Sequence, residues 1–180
     1  DCDGKYRGAN DSVAVASTGE YYSTFSLWDT YRAAHPLYTI LVPERVDGMV
    51  QTMLSHWKVT GILPIWTLWG KENFCMIGNH SIPVIVDAYL KGFKGFEPDE
   101  AYRAIRQTLL LSHFNSDWET YVHYGYYPFD IVKVESVSRT LESAFDDYCA
   151  ALMAKAMGKM DDYEMFLQRA NYYRNLLDPS

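Results

Sequence analysis

Positive charge is scarce in this chain: 16 Lys and Arg stand against 23 Asp and Glu, a formal net charge of −7. No basic patch is dense enough to displace the counterions of a phosphate backbone, which argues against a nucleic-acid partner. Cysteine is scarcer still. Cys2, Cys75 and Cys149 lie far apart with no C-x-x-C pair, so neither a zinc knuckle nor a thiol redox motif is supported. Also missing are an apolar run long enough to span a bilayer and a signal-peptide pattern. H-x-E, H-E-x-x-H, G-x-S-x-G and phosphate-cradling glycine loops are absent. Deaminase, metalloprotease, serine hydrolase and nucleotide-binding chemistries therefore lack support. No fixed-period repeat is visible, and nothing reads as a βαβ unit. The chain also opens without Met, which is read as processing or as a piece of a longer polypeptide.

Against these absences stands an excess of rings: 15 Tyr, 5 Trp and 8 Phe in 180 residues. Rings with a polar handle suit surfaces that are half apolar and half wet, as in a carbohydrate cleft, although aromatic-rich helical cores share this composition. With 48% hydrophobic and 22% charged residues, the chain has the make-up of one globular domain with a sizeable core.

The densest chemistry lies in residues 25–38. Within five positions Trp28, Asp29, Tyr31 and Arg32 supply an indole, a carboxylate, a phenol and a guanidinium. A flat ring covers the C–H face of a pyranose while charged groups chelate its hydroxyls. The alternative is a helix start with Trp28 in the core and Asp29 and Arg32 as an i, i+3 surface pair. A second patch, residues 63–81, reads as a loop between helices carrying Trp66, Trp69, Lys71, Glu72 and His80. One of the two indoles can stack on a sugar while the other packs inward. Glu72 is a candidate acid or hydroxyl chelator; His80 either donates to a sugar hydroxyl or caps the following helix. A third patch, residues 135–148, puts Glu142 and Asp146 on one helix face, with Asp147 about 100° away. Two like charges at i, i+4 repel unless something cationic or sugar-like lies between them. A salt-bridged face through Arg139 is the alternative. Carboxylates plus aromatics are the equipment of glycoside hydrolysis, in which one carboxylic acid protonates the leaving oxygen and a second carboxylate stands opposite.

Residues 1–22 carry turn formers around Tyr6-Arg7 and Val13-Ala14-Val15-Ala16 and predict a leading β-hairpin or extended segment. Asp1-Cys2-Asp3-Gly4 has a faint calcium-loop pattern without the later acidic ligands of an EF-hand. From residue 26 onward the spacing predicts helix after helix. Pro43 opens one in which Val46, Met49, Val50, Met53, Leu54 and Trp57 recur at helical spacing, and Gly61 stops it. Others run from Pro83 to Gly92, from Pro98 through Ile105, Leu109 and Leu110, and over residues 117–124. A long helix capped by Ser136 or Ser138 sets Leu141, Phe145, Tyr148 and Leu152 on one stripe and ends at Gly158. Cys149 reads as a small core residue there. The last helix runs from Asp161 to Leu177. The expected fold is all-α, a solenoid or toroid preceded by a short β-hairpin, and six or seven helices make about half of those in a twelve-helix toroid, a partial (α/α)6 toroid. Residues 1–180 are then part of a single catalytic domain.

Several motifs recur in order. They are Asp3-Gly4-Lys5-Tyr6-Arg7-Gly8, residues 25–37, and Leu63-Pro64-Ile65-Trp66-Thr67-Leu68-Trp69-Gly70. Next come Cys75-Met76-Ile77-Gly78, His80-Ser81-Ile82-Pro83-Val84-Ile85 and Asp87-Ala88-Tyr89, then Gly125-Tyr126 and residues 136–148. Arg169-Ala170 and Tyr173-Arg174-Asn175-Leu176-Leu177-Asp178-Pro179 close the series. From end to end they resemble the calcium-dependent α-mannosidases of glycoside hydrolase family 92. The resemblance implies an (α/α)6 toroid packed against an N-terminal β-sandwich. It also implies exo-hydrolysis of terminal α-linked mannose with inversion, α-1,2 linkages of mannans or N-glycans being the expected substrates. A calcium ion would help distort the terminal mannose. Carried over by position, Asp29 holds hydroxyls of that mannose and Trp66 lines the same subsite. Trp28, Arg32, Trp69, Glu72 and His80 lie in matching segments and are further expected contacts.

Two departures flank the expected pocket and bear on linkage specificity. This chain has Lys71-Glu72-Asn73 where relatives commonly read Asn-Glu-Thr, and Asn79 where Tyr is usual. The general acid, the general base and the calcium ligands are expected in polypeptide beyond residue 180. An inverting pair must flank a water at roughly 6.5–9.5 Å separation, and both members cannot be seated here. The expected partners are a mannose-containing glycan and the remainder of the parent polypeptide, with export to periplasm or exterior. This stretch alone is expected to be inactive, with apolar helix faces uncovered. The competing readings are a non-catalytic helical carbohydrate-binding or scaffold module, and a polysaccharide lyase with basic residues and a Tyr/His pair facing a cleft.

Overall fold

The structure, a computed structural model, describes residues 4–16, 20–114 and 116–177. The readings placed on Asp1, Cys2, Asp3, Gly19, Asp178 and Pro179 fall outside the described residues. Strands β1 (Lys5–Arg7) and β2 (Val13–Val15) pair antiparallel with Tyr6 opposite Ala14, which is the expected hairpin. Helices then dominate: α1 (Leu27–Thr30), α2 (Ala34–Leu41), α3 (Pro43–Thr60), α4 (Ser81–Leu90), α5 (Pro98–Leu109), α6 (Trp118–Tyr124), α7 (Ser136–Ala156) and α8 (Met160–Ala170). A 3₁₀ turn, Tyr172–Leu176, completes the segment predicted as the end of the last helix. Between them lies a sheet the residue pattern does not announce. Strands β3 (Phe25–Ser26), β4 (Trp66–Leu68) and β5 (Lys71–Glu72) form an antiparallel three-stranded sheet inside what reads as loop. Pieces of two or three residues are too short to display an alternation of period two.

Helix α3 follows its sequence signals closely. Pro43 occupies the first turn, where a missing N–H costs nothing, and Gly61 closes the helix in the left-handed conformation at φ +82°. Val46, Val50, Met53, Leu54 and Trp57 are buried, each worth roughly 1.5–3 kcal/mol on full burial. The helix packs against α2, α4 and α5.

Helix α7 departs from expectation at its start. Neither Ser136 nor Ser138 caps it: Glu135 holds the cap position at φ +58° without a side-chain bond, and Ser136 is the first helical residue. The stripe of Leu141, Phe145 and Tyr148 faces outward, 48%, 40% and 45% exposed. The buried face instead carries Ala144, Cys149, Ala150, Ala151, Met153 and Ala154. Small side chains let α8 lie close along α7, with α4 and α5 on its other flanks. Polar residues enter that face only when paired. Arg169 of α8 meets the Asp147 carboxylate through two nitrogens, Nη2 at 2.9 Å and Nε at 3.1 Å, and donates to the Leu109 carbonyl at 3.2 Å. Burial pushes the Asp147 carboxyl up and the Arg169 charge opposes that shift. The pair ties α7, α8 and the end of α5 at one point.

Candidate functional site

The three-stranded sheet joins two of the chemistry-rich segments. Ser26 of β3 lies opposite Trp66 of β4, and Phe25 opposite Thr67, whose hydroxyl accepts the Phe25 N–H at 3.0 Å. Helix α1 begins immediately after β3, so Trp28 and Asp29 follow directly on the strand that pairs with Trp66. The Ser26 hydroxyl donates to Asp29 Oδ2. Trp28 and Trp66 are half-buried, while Asp29 and Arg32 are exposed. The guanidinium carbon of Arg32 sits 4.7 Å from the Tyr31 ring centroid and 5.4 Å from that of Trp28. A guanidinium thus lies over two rings, in the same segment as the exposed Asp29 carboxylate.

The β4–β5 hairpin displays the second indole. Leu68 pairs with Lys71 across a two-residue turn, with Trp69 at φ +52° and Gly70 at φ +81°. Positive φ at both central positions is the turn that matches strand twist, and Asn or Gly normally fills the first of them. Trp69 holds it instead and stands 77% exposed. At Gly70 a Cβ would lie 2.7 Å from the Arg7 carbonyl, so the leading hairpin packs directly on this turn. Lys71 reinforces the contact through an ion pair with Asp11 at 2.5 Å.

Glu72 and His80 are employed differently from the reading by residue type. The Glu72 carboxylate accepts four backbone N–H groups: Ile65 at 2.6 Å, Trp66 at 3.0 Å, Asn73 at 3.0 Å and Phe74 at 2.8 Å. These bonds curl the 65–74 loop around one carboxylate. His80 precedes α4 but makes no side-chain cap. Its ring is fully enclosed, with Nδ1 2.9 Å from Asp146 Oδ1 and Nε2 2.8 Å from Glu142 Oε2. The cation demanded by two acids on one face of α7 is therefore His80, while Arg139 turns to Glu135 and the Val134 carbonyl.

The cluster continues to the surface. The Tyr31 ring stacks on His80 at 3.9 Å between centroids and 20° between planes, and its hydroxyl lies 3.5 Å from Glu142 Oε2. Arg32 Nη2 lies 3.4 Å from Glu142 Oε1. Desolvation opposes charge on His80, but Asp146 and Glu142 outweigh it and push its pKa up to about 9. Burial likewise pulls Glu142 up, and the His80 hydrogen bond and charge, followed by Arg32, hold it below the ordinary carboxylate range. Burial, then the Glu142 charge, drives the Tyr31 phenol up to about 12. Tyr31, Glu142 and Asp146 were not assigned as contacts from residue types. The signal for the two acids was their i, i+4 repulsion; what pairs them is His80, 66 residues from Asp146 in sequence.

Trp28, Asp29 and Arg32 thus follow directly on the strand that pairs with the one bearing Trp66, and between them these residues offer ring faces, a carboxylate acceptor and a guanidinium donor. That set binds vicinal hydroxyls beside a C–H face. Among the described residues no group of three His, Cys, Asp or Glu side chains could hold a metal ion.

The comparisons agree in one direction. The family model "Glycosyl hydrolase family 92 catalytic domain" matches residues 1–180. The solved structure of a family 92 α-mannosidase from Bacteroides thetaiotaomicron is 43% identical and superposes with a TM-score of 0.95, covering 100% of this chain and 24% of its own. The same enzyme in complex with mannoimidazole gives the same values. A family 92 inverting mannosidase from Bacteroides thetaiotaomicron is 32% identical with a TM-score of 0.88, covering 97% of this chain and 24% of its own. A protein of Arthroderma benhamiae described as an uncharacterized secreted glycosidase is 28% identical over 140 residues, 69% of this chain and 18% of that protein. The chain spans about a quarter of the length of these mannosidase structures. Its helices are part of the helical toroid of that family.

Proposed function

The chain belongs to the glycosyl hydrolase family 92 catalytic domains, and from that premise we propose that it supplies one wall of the sugar site of an α-mannosidase. The observation that carries the reading is the β3–β4 pairing, in which Ser26 lies opposite Trp66 and helix α1, bearing Trp28 and Asp29, follows directly on β3. In this reading Asp29 accepts from two hydroxyls of a terminal α-linked mannose, Trp28 and Trp66 cover its apolar face, and Arg32 donates to a ring substituent. Trp69 forms the rim, where the next sugar or aglycone would lie. Glu72 holds the loop that carries Trp66 and Trp69, and His80 acts from behind the wall. The names of the solved relatives, α-mannosidase and inverting mannosidase, support the substrate class and the stereochemical course.

The reaction itself is assigned to the parent polypeptide. Inversion requires an acid and a base flanking a water. In this chain Glu142 and Asp146 are both paired with His80, so neither is given a proton-transfer role. Calcium dependence and preference for α-1,2 linkages of mannans or N-glycans rest on the family likeness alone. On the same likeness the ligands for the ion are assigned to polypeptide outside this chain, and no step is routed through it. Residues 1–180 are read as part of one (α/α)6 domain, entered through the hairpin within residues 1–22. Export to periplasm or exterior follows the secreted relative; no helix among the described residues is long and apolar enough to cross a membrane.

Hydrolysis of an aryl α-mannoside, with calcium present, tests the proposal. The full-length polypeptide is expected to turn it over and the 180-residue chain to be inert. Turnover by the isolated chain would overturn the assignment of acid and base to other segments.

A further inference from the structure

We propose that His80 is a positioning residue of this sugar site: wedged between Glu142 and Asp146, it locks the Glu142 carboxylate, which in turn orients Arg32 over Trp28. The inference rests on the sugar-site reading above and concerns residues that reading leaves behind the wall.

Arg32 is long and about half exposed, and an exposed ion pair alone holds such a side chain weakly. Its position is instead built from behind, layer by layer. Asp146 is fixed first, because its Oδ2 accepts the Asn79 N–H at 2.6 Å. Its other oxygen faces His80 Nδ1 at 2.9 Å, which sets the plane of the ring. The far nitrogen of that ring meets Glu142 Oε2 at 2.8 Å, leaving Oε1 to face Arg32 Nη2 at 3.4 Å. Tyr31 stacks flat on the imidazole and carries Arg32 on its own ring, so the same histidine supports the guanidinium by two routes. Gly78 presses the 65–80 loop onto this stack. It sits at φ +74°, and a Cβ there would lie 2.5 Å from His80 Nε2 and 3.2 Å from Glu142 Cβ. A preset donor loses less freedom when a ligand arrives, which is where the gain in affinity comes from.

The charges around His80 balance. Helix α7 contributes Glu142 and Asp146, with the uncharged Phe145 ring 6.3 Å away; the segment after α1 contributes Tyr31, and Arg32 through Glu142. Of these groups Tyr31 stays neutral until about pH 12, so His80, near 9, is the group that discharges first on the alkaline side. The clamp is charged below that value and is lost above it.

The test is steady-state kinetics of the full-length enzyme and its His80→Gln and Glu142→Gln variants from pH 6 to 10. The unaltered enzyme is expected to keep a constant KM up to about pH 8 and to show a rise centred near 9. Both variants are expected to raise KM about tenfold at neutral pH with kcat within about twofold, and to lose the alkaline rise. Thermal denaturation reports folding. Where His80→Gln does not fold, the nearly isosteric Glu142→Gln decides. A Glu142→Gln enzyme with unaltered KM and an intact alkaline rise would overturn the proposal. Hydrolysis of an aryl α-mannoside by the unaltered enzyme tests the mannosidase reading separately; if another glycoside proves to be the substrate, the same variants are compared on it.

Discussion

Asp29 has an asymmetric position: chemically exposed yet structurally cheap. Its side chain bonds to Ser26 one turn back and is otherwise turned to solvent. Surface substitutions of this kind change stability by about ±0.5 kcal/mol. A carboxylate accepting two sugar hydroxyls is worth far more, since each hydrogen bond to a charged group contributes about 1.5–3 kcal/mol. Asp29→Ala in the full-length enzyme is therefore expected to abolish mannoside turnover, a loss of at least about a hundredfold, with the melting temperature moved by only a few degrees. Unaltered kinetics would remove Asp29 from the pocket. His80 is the opposite case, buried and paired on both sides, so its effect on ligand passes through Glu142 and its pH profile is the signature that separates the two roles.

The β4–β5 hairpin carries strain that its local structure does not need. Trp69 lies in left-handed backbone, where a non-glycine residue costs on the order of 1–2 kcal/mol and Asn tolerates the conformation better. Phe74 and Met76 add two more positive φ values in the same loop. Strain concentrated beside a site points to use. In the full-length enzyme Trp69→Asn is expected to raise the melting temperature slightly, as the backbone strain is relieved, while increasing KM about five- to tenfold as the stacking surface is lost. Thermal scans and saturation kinetics on one preparation check both signs; a stabilised variant with native KM would leave Trp69 outside the binding surface.

Across the whole chain, burial is unevenly distributed. On α7, Val137, Leu141, Phe145 and Tyr148 stand 55%, 48%, 40% and 45% exposed, and they continue into a groove of about 410 Å³ shared with Leu167, Ala170 and Tyr173. A contiguous apolar stripe of that kind associates with whatever apolar surface it meets. The 180-residue chain by itself is expected to self-associate at micromolar concentration, read by sedimentation velocity, and Leu141→Glu with Tyr148→Glu is expected to shift it toward monomer. A wild-type chain that stays monomeric without binding a hydrophobic dye would show that the stripe is not sticky.

Local signals were enough to place α3 and the ends of several helices, though not the cap of α7 or the end of α8. Pro43, Gly61 and Gly158 act through φ and a missing donor, which depend on single residues, and the period of Val46, Val50, Met53 and Trp57 follows from helix geometry alone. The family, too, was legible from an ordered series of tryptophan-bearing motifs. Three things were decided by chain folding back on itself. The β3–β4–β5 sheet joins Ser26 to Trp66 through bonds between segments 40 residues apart, and strands this short carry no period of their own. The face of α7 that is buried was chosen by small side chains that let α8 approach, not by the large apolar ones. And the repulsion between Glu142 and Asp146 was visible along one helix, whereas the cation that resolves it, His80, arrives from the turn before α4, because electrostatic pairing depends on distance in space and leaves no spacing in the sequence.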